Sequence, residues 1–222
     1  MALDICGEHL EYMAIVDDQP DARKAYTYAV RTARLEPHEV TGPLPEPSAF
    51  VASLDGGAMS KAVLCDHSLR VREYATYDGA ELVAYCFERG IPALLCTRWE
   101  PQTLDAIRAH RAKIPVLLAS DELGPDELAR GLERCVRELK EGPDVERKLW
   151  RNQVLVTEVD EQLERLTLEI PGWHLDNGIR LPMQDLPRSL RMRLQPGFRF
   201  HTRVNLGALS PDELYFEWPA DD

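Results

Sequence analysis

Along the first two thirds of the chain, short apolar runs alternate with segments whose apolar residues recur at helical spacing. The runs at 12–16, 61–65, 91–96 and 114–119, with a weaker one near 38–41, predict strands. The segments 20–35, 47–54, 78–89, 100–111 and 125–141 predict helices. In the last of these, Leu128, Leu132, Val136 and Leu139 share one face, and Pro125 suits a first helical turn. The central strands are continuous apolar runs, as expected for strands covered on both faces. Five βα units in succession predict an α/β domain, a doubly wound five-stranded parallel sheet with helices on both sides.

The alternation stops at Glu141-Gly142-Pro143. A charged connector, 144–151, is expected next, and after it the pattern becomes β-like. Asn152 to Val159 and Leu163 to Ile170 read as two strands around Asp160-Glu161, and Pro171-Gly172 and Asp176-Asn177-Gly178 as turns. Leu190 to Leu194 alternates with period two, Phe198 to Leu206 does so more loosely, and Tyr215-Phe216 adds a short final strand. The expected organisation is therefore 1–143, a connector, and a small β-rich domain over 152–222.

The formal net charge of −12 disfavours nucleic acid as a general partner. The five cysteines, Cys6, Cys65, Cys86, Cys96 and Cys135, form no CxxC pair, and two lie inside strand-like runs. Free thiols in a reducing, cytoplasmic compartment are expected. No apolar run reaches the roughly 18 residues of a membrane span, and the N-terminus lacks signal-peptide features.

The chemistry gathers at strand ends. The run Tyr12–Val16 ends in Asp17-Asp18, Ala62–Cys65 ends in Asp66, and Ile91–Cys96 ends in Thr97. In a parallel α/β sheet the carboxyl ends share one edge, where ligands bind. Two acids, a third acid and a hydroxyl delivered there suggest a divalent cation. Helix capping before Pro20 would account for one aspartate of the pair and leave the other, and Asp66, unexplained.

In this order and spacing, residues 12–141 resemble the receiver domain of two-component response regulators, which has a flavodoxin-like fold. The resemblance implies a Mg²⁺ site made by Asp17, Asp18, Asp66 and the backbone carbonyl of Ser68. It implies that Asp66 accepts a phosphoryl group from a histidine kinase or another phosphodonor, and that Thr97 hydrogen-bonds the transferred group. Asp78-Gly79-Ala80-Glu81-Leu82 is similar to the motif that opens the family's third helix. A homodimer through the face of the fourth helix, fifth strand and fifth helix is the family's usual output.

Three departures stand out. Ile114 to Asp121 places Ala119 or Ser120 where the family has a lysine, and the strand has no aromatic residue. Arg98 follows Thr97 where the family has a small residue, and it is a candidate substitute for the lysine, set against a plain solvated loop. The segment from Asp66 to Asp78 is longer than in the family, and Arg70 or Arg72 in it would serve as a lid or a partner surface, again set against a solvated loop. In the β-rich domain, Arg188, Arg191, Arg193, Arg199 and Arg203 would form either a basic face or an exposed strand face that discourages edge pairing.

The expected function is an atypical response-regulator-like signalling protein, not an enzyme beyond self-phosphorylation and its reversal. Its β-rich domain would dock a protein partner. A phosphorylation-independent interaction module is the alternative, followed by a Mg²⁺-dependent phosphohydrolase, for which no general acid is visible.

Overall fold

The computed structural model describes residues 2–55, 61–98, 106–173 and 178–220. Trp99, the expected helix 100–111 as far as residue 105, and the Asp176-Asn177 turn lie outside the described residues. By their contacts the residues divide into two units, 1–103 with 113–142, and 104–112 with 143–222.

The first unit opens with a hairpin, β1 (Leu3–Ile5) and β2 (Glu8–Leu10), which the alternation did not predict. Its two-residue turn puts Cys6 and Gly7 at positive φ, 48° and 78°, the twist that joins antiparallel strands most directly. Then follow β3 (Tyr12–Val16), α1 (Pro20–Thr32), β4 (Glu36–Glu39), α2 (Pro47–Asp55), β5 (Lys61–Asp66), α3 (Gly79–Glu88), β6 (Ala93–Thr97), β7 (Leu117–Ala119) and α4 (Pro125–Glu141). The sheet is parallel, in the order β4-β3-β5-β6-β7, which is the flavodoxin-like doubly wound arrangement.

Burial explains the order. Met13–Val16, Ala62–Cys65 and Ala93–Thr97 are all buried, so β3, β5 and β6 take the interior places. β4 is mostly exposed and carries Pro37, which an edge strand tolerates because it needs fewer donors. In α4, Pro125 occupies the first turn with Asp126 and Glu127, and Lys140 the last. Gly142, at φ 85°, ends it while donating its N–H to the Glu138 carbonyl at 2.9 Å. Leu128, Leu132, Cys135 and Val136 of α4 join Ile15, Leu64 and Leu94 in one core.

The second unit carries an antiparallel sheet with the order β10-β9-β8-β11-β12. Its strands are β8 (Trp150–Asp160), β9 (Arg165–Glu169), β10 (Ile179–Pro182), β11 (Arg199–Val204) and β12 (Phe216–Glu217). β8 starts at Trp150, inside the stretch expected as connector, and β10 follows the expected turn at Gly178, where no strand was expected. The expected strand at 190–194 is instead a helical turn, α5 (Arg188–Arg191), started by Pro187. The apolar spacing that matters is Leu186 to Leu190, both buried, whereas Met192 is 74% exposed. A period of four had passed for a period of two.

No helix among the described residues is long and apolar enough to cross a membrane. All five cysteines are free.

Candidate functional site

The sheet register brings the expected residues to one edge. Val16 pairs with Cys65, Asp66 with Cys96, and Thr97 with Ala119. β3 and β5 flank the point at which the strand order reverses, where open α/β sheets form their ligand crevice. Asp17 and Asp18 leave β3 on one side of that point and Asp66 ends β5 on the other.

Asp17 is buried, and its Oδ1 accepts the Gln19 N–H at 2.7 Å in a local turn. The N-cap of α1 is Gln19, which makes no side-chain capping bond, so helix capping does not account for the acidic pair. Burial, with the Asp18 charge behind it, raises the Asp17 pKa above the ordinary carboxylate value. Asp18 is also buried, and Arg72 Nε stands 4.0 Å from its Oδ2.

Asp66 Oδ2 accepts the Ser68 N–H at 2.7 Å. Burial pushes its pKa up to about 6, the Asp17 and Asp18 charges add to the rise, and the backbone N–H groups of Ser68 and His67 oppose it. Asp66 thus feels both members of the acidic pair. His67 serves through its backbone, donating to the Cys96 carbonyl at 3.2 Å and accepting from Gly79 at 2.8 Å.

Gly79, the first residue of α3, makes this packing feasible. A β-carbon there would lie 1.8 Å from the Asp66 carbonyl oxygen and 2.9 Å from Cys65 Sγ. Just ahead of it, the Asp78 N–H donates to Glu81 Oε1 at 3.2 Å, half of a capping box.

Among the described residues, no cation stands opposite Thr97 on the side of the site formed by β6 and β7. Thr97 is buried, and its hydroxyl faces the Arg98 carbonyl at 3.4 Å. Ala119 stands opposite Thr97, and Ser120 donates its N–H to the Thr97 carbonyl at 3.0 Å. Burial holds Cys96 up at about 12, and the charges of Asp66, Asp17 and Asp121 raise it too, so Asp121 adds to the negative field. Arg98 is exposed, and its guanidinium has no partner among the described residues.

Two other arginines stand near the acidic pair. Arg23, on the buried side of α1, donates from Nη1 to the Asp17 carbonyl, and its guanidinium lies 5.9 Å from the centre of the Tyr74 ring. A charged residue at an interior helical position was the available signal for it, and the periodicity did not single it out. Arg72 belongs to the long segment between β5 and α3. That segment is anchored rather than merely solvated: Tyr74 and Tyr77 donate their hydroxyls to the Val40 and Pro45 carbonyls, each at 2.8 Å. Arg70 turns away to Asp78 and Glu81, each at 3.0 Å.

Among the described residues, no three His, Cys, Asp or Glu side chains form a ready-made metal cluster. The donor set still suits a hard cation, because three carboxylates crowd one another and the hydrogen bonds to Asp17 and Asp66 come only from neighbouring backbone N–H groups.

In the second unit three of the five arginines have partners on the same sheet or beside it. Arg203 pairs with Glu217 at 2.7 Å, Arg193 lies 4.8 Å from the centre of the Phe198 ring, and Arg199 donates to Gln153 at 3.3 Å.

No family model matches the sequence, and no curated protein matches it either. Solved structures similar to the first part of the chain include a response regulator receiver domain protein from Clostridium thermocellum, at 11% identity over 59% of this chain and 98% of that one, TM-score 0.46. The signal receiver domain of an HD domain-containing protein from Pseudomonas fluorescens matches at 15% identity over 59% and 89%, TM-score 0.44. A chemotaxis response regulator of Vibrio cholerae matches at 16% over 57% and 98%, TM-score 0.39.

Proposed function

We propose that the chain is an atypical cytoplasmic response regulator in which Asp66 accepts a phosphoryl group and the β-rich unit docks a protein partner. The observation that carries the reading is the coupling of Asp66 to Asp17 and Asp18 across the switch point of the sheet. An Asp66 oxygen attacks the phosphorus of a donor, either a phosphohistidine of a kinase or a small acyl phosphate. The new P–O bond forms as the donor bond breaks, and the leaving group departs with its electron pair. With a pKa of about 6, Asp66 is largely ionised at pH 7 and competent as the nucleophile.

Asp17, Asp18, Asp66 and the Ser68 carbonyl would hold Mg²⁺, which when bound offsets the charge crowded there. Thr97 would hydrogen-bond the transferred group once its hydroxyl leaves the Arg98 carbonyl. The shifted state would be read by a partner or by a second copy of the chain.

A second reading has its own support. Ala119 stands opposite Thr97 where a lysine would neutralise the phosphoryl group, and the hydroxyl of Thr97 faces a carbonyl. On that reading the fold binds partners without phosphorylation.

Incubation with Mg²⁺ and acetyl phosphate, followed by intact mass measurement, separates the two. A gain of one phosphoryl group that is lost in Asp66→Ala supports the switch. The absence of an adduct, together with no response to beryllofluoride, supports the constitutive module.

A further inference from the structure

Beside the acidic pair lies a cleft of about 410 Å³, floored by Asp18, Arg23 and Tyr74 and rimmed by Gly42, Arg72 and Glu73. We infer that this cleft binds the phosphoryl group of a small phosphorylated molecule through Arg23 and Arg72. The inference goes beyond the phosphoacceptor reading, because it concerns reversible binding in a different place from the Asp66 carboxylate.

Arg23 carries the argument. Its side chain is only 8% exposed, and of its three guanidinium nitrogens only Nη1 makes a hydrogen bond, to the Asp17 carbonyl. Nε is buried without a hydrogen-bond partner, and the nearest acid, Glu39, is 3.9 Å away, beyond hydrogen-bond reach. Nη2 makes no hydrogen bond and is not sealed off as Nε is, so it is the donor that an oxyanion in the cleft would meet. Arg72 lines the same cleft, 63% exposed, with its Nε 4.0 Å from Asp18 Oδ2.

The turn that presents Arg72 is held in place. Arg72 and Glu73 both adopt left-handed backbone, at φ 58° and 56°, which residues with a β-carbon adopt only under constraint. Packing maintains it: Leu44 donates its N–H to the Tyr74 carbonyl at 2.7 Å, and the Tyr74 ring fits against Gly42, where a β-carbon would come within 2.3 Å. Arg72 is thereby kept at the mouth of the cleft and not released to solvent.

The choice of ligand follows from charge and size. Guanidinium forks match phosphoryl oxygens, and two of them converge here. Asp18 and Glu73 are the acids of the lining, and the two guanidinium charges offset them. The volume falls within the usual range for small-molecule sites and exceeds what an isolated tetrahedral ion fills.

Isothermal titration without divalent cations tests the site with glycerol 3-phosphate, inorganic phosphate and glycerol. The ester is too weak a donor to phosphorylate a carboxylate, so failure here is distinct from failure of Asp66 to form an adduct. Saturable binding of a phosphoryl probe is expected, none of glycerol, with affinity falling by roughly tenfold in Arg72→Gln. Arg72 is exposed, so that variant folds, and Arg23→Lys, which keeps the charge but loses the fork, is expected to weaken binding as well. Tighter binding of the ester assigns the site to a phosphorylated metabolite, and equal binding assigns it to free phosphate. No saturable binding, or binding unchanged in both arginine variants, overturns the proposal.

Discussion

A β-carbon on Gly79 would stand 1.8 Å from the carbonyl oxygen of Asp66, so α3 begins in van der Waals contact with the end of β5. The contact fixes where the Asp66 carboxylate stands, because the Gly79 N–H also bonds the carbonyl of His67, the next residue. Gly79→Ala must push α3 and the strand end apart. A destabilisation of about 1–3 kcal/mol is expected in urea unfolding, together with weaker Mg²⁺ binding.

Asp66 gives the first unit a pH signature. Its folded pKa, about 6, lies above the ordinary carboxylate value, so the folded chain holds that proton more tightly than the unfolded one. The stability due to neutral Asp66 is complete below roughly pH 4 and is lost as pH rises through about 6. Asp66→Asn removes the titration. Without divalent cations, the variant should gain about 1–2 kcal/mol on the wild type between pH 4 and pH 7, read as the difference between two urea curves. A flat difference would mean that the site is not crowded.

Mg²⁺ should stabilise the protein by relieving the same repulsion. At about ten times Kd a rise in Tm of roughly 3–6 °C is expected. Asp18→Ala should abolish the rise, while Thr97→Val, which removes no carboxylate, should keep it.

The second unit has its own polar keystone. Asn205 is 1% exposed, and its Oδ1 accepts the Tyr215 N–H at 2.8 Å while its Nδ2 donates to the Glu213 carbonyl at 3.0 Å. Asn205→Ala strands two backbone groups in the interior. A loss of about 2–4 kcal/mol is expected, read as a lowered midpoint in denaturant unfolding.

The parallel sheet was legible in the chain because strands buried on both faces must be continuous apolar runs, and Met13–Val16, Ala62–Cys65 and Ala93–Cys96 are such runs. For the same reason Asp17, Asp18, Asp66 and Thr97 could be assigned to one edge, since where a buried run stops is written in the residues themselves. Pro125 and Gly142 marked the ends of α4 through their own backbone restrictions.

Packing decided the rest. Leu190 to Leu194 reads as a strand until Leu186 enters the same core and turns the period from two to four. Arg98, beside Thr97 in the chain, stays exposed, whereas Arg23, in the first turns of the next helix, and Arg72, remote in sequence, approach the acidic pair. Neighbours along the chain are set by covalent order, so strand ends and caps can be read locally. The partner of a long, flexible charged side chain depends on which segments the fold lays side by side, and only the tertiary structure states that.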